Sequence, residues 1–387
     1  MENLIQARIE KNALPFRQLF SAKTNPSPFQ VILLIFTIGL LLFSSCKKEP
    51  DDESNLNNNP PKSTAIYVLN QGSFSNNNAS VTMYDLENDS IIPDYFMASN
   101  NRGLGDTGAD LLLYGSKGYI LTNVSSQLEV VNAVTFKSIK QIPFISDNVP
   151  QQPSAISGYE GNVYVTSYDG KVTVIDTANL NVIKVINVGL NPDAILAANG
   201  KIWVSNSGGF DFVTYDSTVS VIDPATLTET DKIVVGTNPY TLKADAYGDI
   251  YVITRGNYND EKMRLRIIDA ATKTLKYTFE DFEAYNFTIK GDTAYVYYHD
   301  FIGGTGSNIK TINVKTEEII SNNFITDGTH IETVYAIAAD PTSGDIFITD
   351  AKDFQGPGMV YRFGVDGKLK SSFQAGVNPV AVRFLIR

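Results

Sequence analysis

Residues 191–209 read NPDAILAANGKIWVSNSGG and residues 217–236 read STVSVIDPATLTETDKIVVG. Alternation of apolar and polar residues in AILAA, KIWVSN, TVSVID and TDKIVVG has the period of two expected of half-buried strands, and Asn-Pro, Asn-Gly and Asp-Pro punctuate them. This stretch therefore predicts four short antiparallel strands. Its second strand has counterparts along the chain: YVLN from Tyr67, YILT from Tyr119, YVTS from Tyr164, WVSN from Trp203, YVIT from Tyr251, YVYY from Tyr295 and FITD from Phe347, with successive starts 52, 45, 39, 48, 44 and 52 residues apart. A period of this length, built of strands with no amphipathic helix between copies, points to an all-β, seven-bladed β-propeller. The C-terminal AGVNPVAV begins one more copy but stops after a single strand, whereas the first copy begins at its second strand. Closing the ring by adding that C-terminal strand to the N-terminal blade removes two exposed sheet edges.

The repeat separates scaffold from decoration. The third strand ends in Asp or Asn at Asn132, Asp176, Asp223, Asp269 and Asn313, each in a short turn where such a side chain accepts backbone N–H groups, so these residues read as hairpin formers. Turns from first to second strand (AANGK, GYEGN, DAYGD, DPTSGD) are also short, whereas loops from second to third strand are long and dissimilar: NQGSFSNNNA, NSGGFDFVTYDS, RGNYNDEKM, HDFIGGTGSN and DAKDFQGPG. One face of the propeller is thus plain and the other carries the features that differ between blades. At the ends of the second strands stand Asn70, Asn123, Tyr168, Asn206, Arg255, His299 and Asp350, expected to form a polar ring about the axis. Among the loop aromatics, Phe210, Tyr258, Phe301 and Phe354 complete the candidate ligand-binding set, an arrangement suited to a large ligand with amide or hydroxyl edges and flat apolar faces.

The first 63 residues stand outside the repeat. Val31 to Phe43 is a 13-residue apolar run preceded by Arg8, Lys11, Arg17 and Lys23, short for a membrane span and placed like the core of a signal peptide. It is followed by Ser-Ser-Cys, ending in Cys46, the one cysteine of the chain. Residues 1–45 are expected to be a lipoprotein signal peptide, Cys46 the lipidated residue, residues 46–63 a charged, Asn/Pro-rich tether and residues 64–387 the propeller. The full chain has a net charge of −11; without residues 1–45 there are 27 basic and 40 acidic residues, or −13. Such a balance opposes binding to phosphate backbones, so no nucleic-acid partner is expected. Two histidines, one cysteine and no paired ligand spacing leave no expected metal site or cofactor, and no Gly-x-Ser-x-Gly elbow suggests a nucleophile, so the chain reads as non-enzymatic.

The YVTS and WVSN cores, with VxVID and VGxNP, resemble the YVTN-repeat seven-bladed propellers over essentially all of residues 64–387. The first copy, IYVLNQGSFSNNNASVTMYD, together with the lipoprotein-like N-terminus and the acidic Asp51, Asp52 and Glu53, looks similar to the surface propeller lipoproteins of Bacteroidota, a group that includes the BtuG-type cobalamin-binding proteins. That resemblance implies a cell-surface protein of the outer membrane, held by its lipid alone, that captures a corrinoid for a TonB-dependent transporter. A structural propeller docking a protein or glycan on the decorated face is the alternative expectation.

Overall fold

The aromatic residue that opens each four-residue core joins one blade to the next. In the computed structural model, which describes residues 60–209, 213–280, 282–299 and 307–387, Tyr67, Tyr119, Tyr164, Trp203, Tyr251, Tyr295 and Phe347 are all buried. Each packs among β-branched residues of two neighbouring sheets, and the buried apolar residues fall into seven clusters, for example Tyr251, Phe287 and Ile312 between one pair of blades and Tyr164, Val204 and Ile222 between another. There is no single core; every blade is stabilised by its neighbours, each large side chain contributing ~1.5–3 kcal/mol by burial. Hydroxyl groups add ties between blades: Tyr67 donates to the Ala133 carbonyl at 2.8 Å and Tyr251 to that of Val314 at 3.1 Å.

The chain divides into Met1–Asn59 and Pro60–Arg387, and the second unit contains seven four-stranded antiparallel sheets. Blade 1 combines Ser63–Asn70, Ser80–Asp85 and Ser90–Ile92 with the C-terminal strand Pro379–Ile386. Blades 2 to 7 occupy residues 108–143, 153–187, 192–234, 239–279, 286–321 and 334–377 in unbroken chain order. The expected closure is present: Pro379–Ile386 pairs antiparallel with Ser63–Asn70 as the innermost strand of blade 1, and Lys62 and Arg387 exchange both backbone bonds at 2.9 Å. The first strand of blade 1 begins at Ser63, one residue before the boundary the repeat suggests.

The turn assignments hold in detail. Asp176 Oδ1 accepts from the N–H groups of Ala178 and Asn179, Asp269 Oδ1 from Ala271 and Thr272, Asn132 Oδ1 from Val134 and Thr135, and Asn313 Oδ1 from Lys315 and Thr316. Four residues after the acceptor the chain turns through positive φ at a non-glycine residue, as at Leu180 (59°) and Leu227 (52°). The Asn-Pro pairs have the same kind of cause. Asn191, Asn238 and Asn378 stand at φ 42°, 59° and 53° where the chain turns from one blade into the innermost strand of the next sheet, and Asn tolerates that region better than most residues. The linkers hold two elements that the repeat does not announce: a one-and-a-half-turn helix, Tyr95–Asn100, capped by Asp94 and buried through Phe96, and a two-residue hairpin at 145–146 and 149–150.

Candidate functional site

A β-bulge on the innermost strands builds the site. In blade 4, Pro192 is opposite Asn206 while Ala194 is opposite Ser205, so Asp193 is an extra residue on its strand. The same shift leaves Ala109, Tyr335 and Val380 unopposed in blades 2, 7 and 1, and a two-residue version in blades 3 and 5 includes Ser154 and Tyr240. In blade 6 the corresponding residue is Tyr285, whose N–H bonds the Tyr297 carbonyl at 2.8 Å. A bulge turns a side chain away from the pleat, and here all seven turn to the propeller axis, where they line one cavity of about 450 Å³.

The wall is asymmetric. Blades 4 to 7 contribute Asp193, Tyr240, Tyr285 and Tyr335, while blades 1 to 3 contribute Val380, Ala109 and Ser154. Small residues on one side leave the volume; large polar aromatics on the other give it recognition chemistry. Behind this aromatic wall the Arg255 guanidinium lies 3.2 Å from the Tyr240 ring centroid and 5.1 Å from that of Tyr285, and reaches the Tyr285 hydroxyl at 3.5 Å. Such stacking fixes the planar cation without neutralising it. Tyr168 donates to Asp193 at 3.2 Å. Burial raises the Asp193 carboxyl above the ordinary range against the opposing effect of Arg255, and burial also raises the Tyr168 and Tyr240 phenols, the latter to about 12. These phenols keep their protons near neutrality and serve as hydrogen-bond donors.

The expected polar ring is corrected by the register. In six of the seven second strands the fourth residue of the core is opposite the Pro or Gly that precedes the bulge, or its counterpart: Asn70 opposite Pro379, Thr122 opposite Gly108, Ser167 opposite Pro153, Asn206 opposite Pro192, Thr254 opposite Pro239 and Asp350 opposite Val334. The fifth residue lines the axial cavity in blades 1 to 3, as Gln71, Asn123 and Tyr168. The sequence ring took the fifth residue at Asn123, Tyr168, Arg255 and His299 but the fourth at Asn70, Asn206 and Asp350, and a shift of one along a strand reverses the face. Asn206 is fully buried; its amide donates to Thr218 and Ser220 at 3.0 and 2.9 Å and its carbonyl accepts from Gly189 N–H at 3.1 Å. Asn70 repeats this pattern with Ser80, Thr82 and Gly376, and Asp350 holds the N–H groups of Thr333 at 2.8 Å and Lys352 at 2.9 Å. These three are scaffold.

Asn123 and Tyr168 do line the cavity, and Gln71, the fifth residue of blade 1, joins them and accepts a hydrogen bond from the Tyr335 hydroxyl. Tyr258 and Phe354 are exposed, and Phe354 meets Tyr335 edge-on with centroids 5.9 Å apart. Phe74, 76% exposed, also borders the cavity, lifted by a loop stapled to the next linker through the Ala79–Gly105 bridge. Cys46, Phe210, Phe301 and the His299 side chain lie outside the described residues. The strongest residues of the wall, Asp193, Tyr285 and Arg383, were missed from sequence. Aligning the copies on Asn-Pro and reading the next residue, Asp in NPD and Tyr in NPY, was the available signal.

Residues 64–375 match the domain of unknown function DUF5074. The chain belongs to the DUF5074 family. No curated protein matches it in sequence. Solved structures similar to this DUF5074 chain include a quinonprotein alcohol dehydrogenase-like protein from Bacteroides thetaiotaomicron, 17% identical with TM-score 0.62 over 84% of this chain and 79% of that one. Hydrazine synthase of Kuenenia stuttgartiensis is 16% identical with TM-score 0.56, covering 68% and 85%. The dihydro-heme d1 dehydrogenase NirN is 15% identical with TM-score 0.55, covering 84% and 67%. At this identity the likeness shows the propeller fold alone, and enzymes as well as other proteins use it. Among the described residues of this DUF5074 protein no group of three or more His, Cys, Asp and Glu could hold a metal ion, and no helix is long and apolar enough to cross a membrane.

Proposed function

We propose that the protein is a non-enzymatic ligand-binding propeller that captures a corrinoid at the mouth of its axial cavity. The observation that carries the reading is the cavity wall, where Tyr240, Tyr285 and Tyr335 stand on one side with Arg255 stacked behind them and small residues face them. A corrinoid is broader than about 450 Å³ of cavity, so its macrocycle would rest among Phe74, Tyr258 and Phe354 while one polar arm enters between Asn123, Tyr168 and Tyr335. Flat apolar faces against exposed aromatics, and amides against phenols and amide side chains, are the matching chemistry.

Lipid anchoring through Cys46 at the outer-membrane surface and transfer to a TonB-dependent transporter belong to the same proposal. They are supported by the apolar run from Val31 to Phe43 ahead of that cysteine and by the resemblance of the first repeat. Calorimetric titration of the purified protein with cyanocobalamin and with cobinamide tests the ligand: dissociation constants at or below micromolar are expected. No heat and no co-elution of colour at micromolar concentrations reject the corrinoid.

A further inference from the structure

One turn of the axial wall below the bulges carries charge that the ligand reading does not use. In each blade a residue of the innermost strand is paired with the aromatic that opens the core, and these seven residues form a second ring. At Arg383, opposite Tyr67, and Lys243, opposite Tyr251, the ring residue is a cation. At Leu112, Ser157, Leu196, Thr288 and Ala338 it is neutral. Both cations line the axial cavity.

Their surroundings differ. Arg383 bonds Asp110 at 2.7 Å and the Val382 carbonyl at 3.0 Å. Asp110 in turn accepts the N–H groups of Leu111 at 2.8 Å and Ile156 at 3.1 Å, so its carboxylate is fixed to the wall. The Lys243 side chain has no hydrogen bond and no ion pair among the described residues, although the chain carries 42 acidic residues against 31 basic ones. The charged and titratable groups sharing this cavity are Arg383, Asp110, Asp193, Tyr168, Tyr240 and Tyr285, with Tyr335 at its mouth. Only Asp110 and Asp193 are acidic; the first is held by Arg383 and the second by Tyr168. A cation whose attracting carboxylate, Asp110, is already bonded to Arg383 is left under-neutralised in the cavity, and a protein rich in carboxylates that keeps one there has left the position for a ligand. Burial, with Arg383 in support and Asp110 opposing, lowers Lys243 to about 8, so the site answers a negative group by taking up a proton.

We propose that the floor of the axial cavity is an oxyanion subsite in which Lys243 and Arg383 receive a carboxylate, phosphate or sulfate group. The placement of Lys243 and Arg383 stands whether or not the ligand is a corrinoid, and only the location of the site rests on the axial-cavity reading. Sulfate and acetate, neither of which titrates near pH 8, are the probes. The protein is titrated with each by calorimetry at pH 8, in two buffers of different ionisation enthalpy, with sodium chloride holding ionic strength constant.

The expected result is saturable binding of at least one probe with net uptake of about half a proton, because a group titrating near 8 is half protonated there. Lys243→Met should weaken that binding at least tenfold, while Lys243→Arg should retain it without proton uptake. Sulfate alone binding points to a tetrahedral oxyanion, and acetate alone to a carboxylate. No binding beyond chloride, no proton uptake in the wild type, or equal binding by Lys243→Met overturns the subsite. Corrinoid titration of the same variants keeps the two readings apart, since failure of cyanocobalamin to bind leaves the sulfate and acetate result standing.

Discussion

Lys243→Met should make the protein more stable at neutral pH. Its ammonium titrates at about 8 inside the fold and near 10.5 in an unfolded chain. At pH 7 that difference disfavours the folded state by ~3 kcal/mol if the cavity stays dry, and water in the open channel reduces it to ~1–3 kcal/mol. Methionine keeps the unbranched apolar stem and removes the charge, so little packing is lost. Below about pH 8 both states hold the proton and the penalty is complete. As pH rises from about 8 towards 10.5 the unfolded chain binds more proton than the folded one, so wild-type stability rises towards that of the variant. The advantage of Lys243→Met should therefore shrink to less than half by about pH 9.5. Urea unfolding of both proteins at pH 7 and pH 9.5, in chloride buffers free of sulfate and phosphate, measures this as a shift in midpoint at constant slope. A variant no more stable than wild type at pH 7, or an advantage independent of pH, refutes the claim that Lys243 is an under-neutralised cation with no carboxylate bonded to it.

Other expected outcomes separate scaffold from site. Asn206→Ala leaves the buried N–H of Gly189, and Asn70→Ala the partly buried N–H of Gly376, without its acceptor, and each should cost ~1–3 kcal/mol in urea unfolding while leaving ligand affinity unchanged. Gly189→Ala should also destabilise, because an added Cβ would lie 2.4 Å from the Asn206 side chain. Arg255→Ala removes the stack behind Tyr240 and Tyr285 and should weaken corrinoid binding by ~1–3 kcal/mol in calorimetry. Truncation after Val377 deletes the innermost strand of blade 1, and exposure of Val68 and Tyr67 should abolish cooperative unfolding in circular dichroism melts.

The architecture was legible because repetition supplies many weak observations of one pattern. Tyr119, Tyr164 and Trp203 could be aligned by eye, and Asp176, Asp269 and Asn313 betray their hairpins through local hydrogen bonding within three residues. The helix at Tyr95–Asn100 was not legible, since it occurs once and is fixed by tertiary packing, with Phe96 in the buried cluster between blades 1 and 2 and Tyr95 against Phe136.

The site was legible only in outline. The decorated loops lie at the end of the axis where Asn123 and Tyr168 line the cavity and Arg255 stacks on Tyr240, whereas Asn70, Asn206 and Asp350, grouped with them by sequence, differ by one position along the strand. Which residue faces the axis depends on a bulge, and a bulge is set by the register between paired strands, with the next strand of the chain for Pro192 against Asn206 and with a distant one for Pro379 against Asn70, rather than by the alternation of residue types.

Sequence alone determined that this chain closes seven four-stranded blades, that its turns are built from Asp, Asn and Gly, and which face varies, because each of these is specified within about fifty residues and then repeated. Tertiary structure alone decided that Asp193, Tyr240, Tyr285 and Tyr335 share one wall, that Arg255 stacks behind it, and that the Lys243 side chain stands in the same cavity as Arg383 with no hydrogen bond or ion pair among the described residues. Those residues come from different blades, and only closure of the ring brings their strands around a common axis.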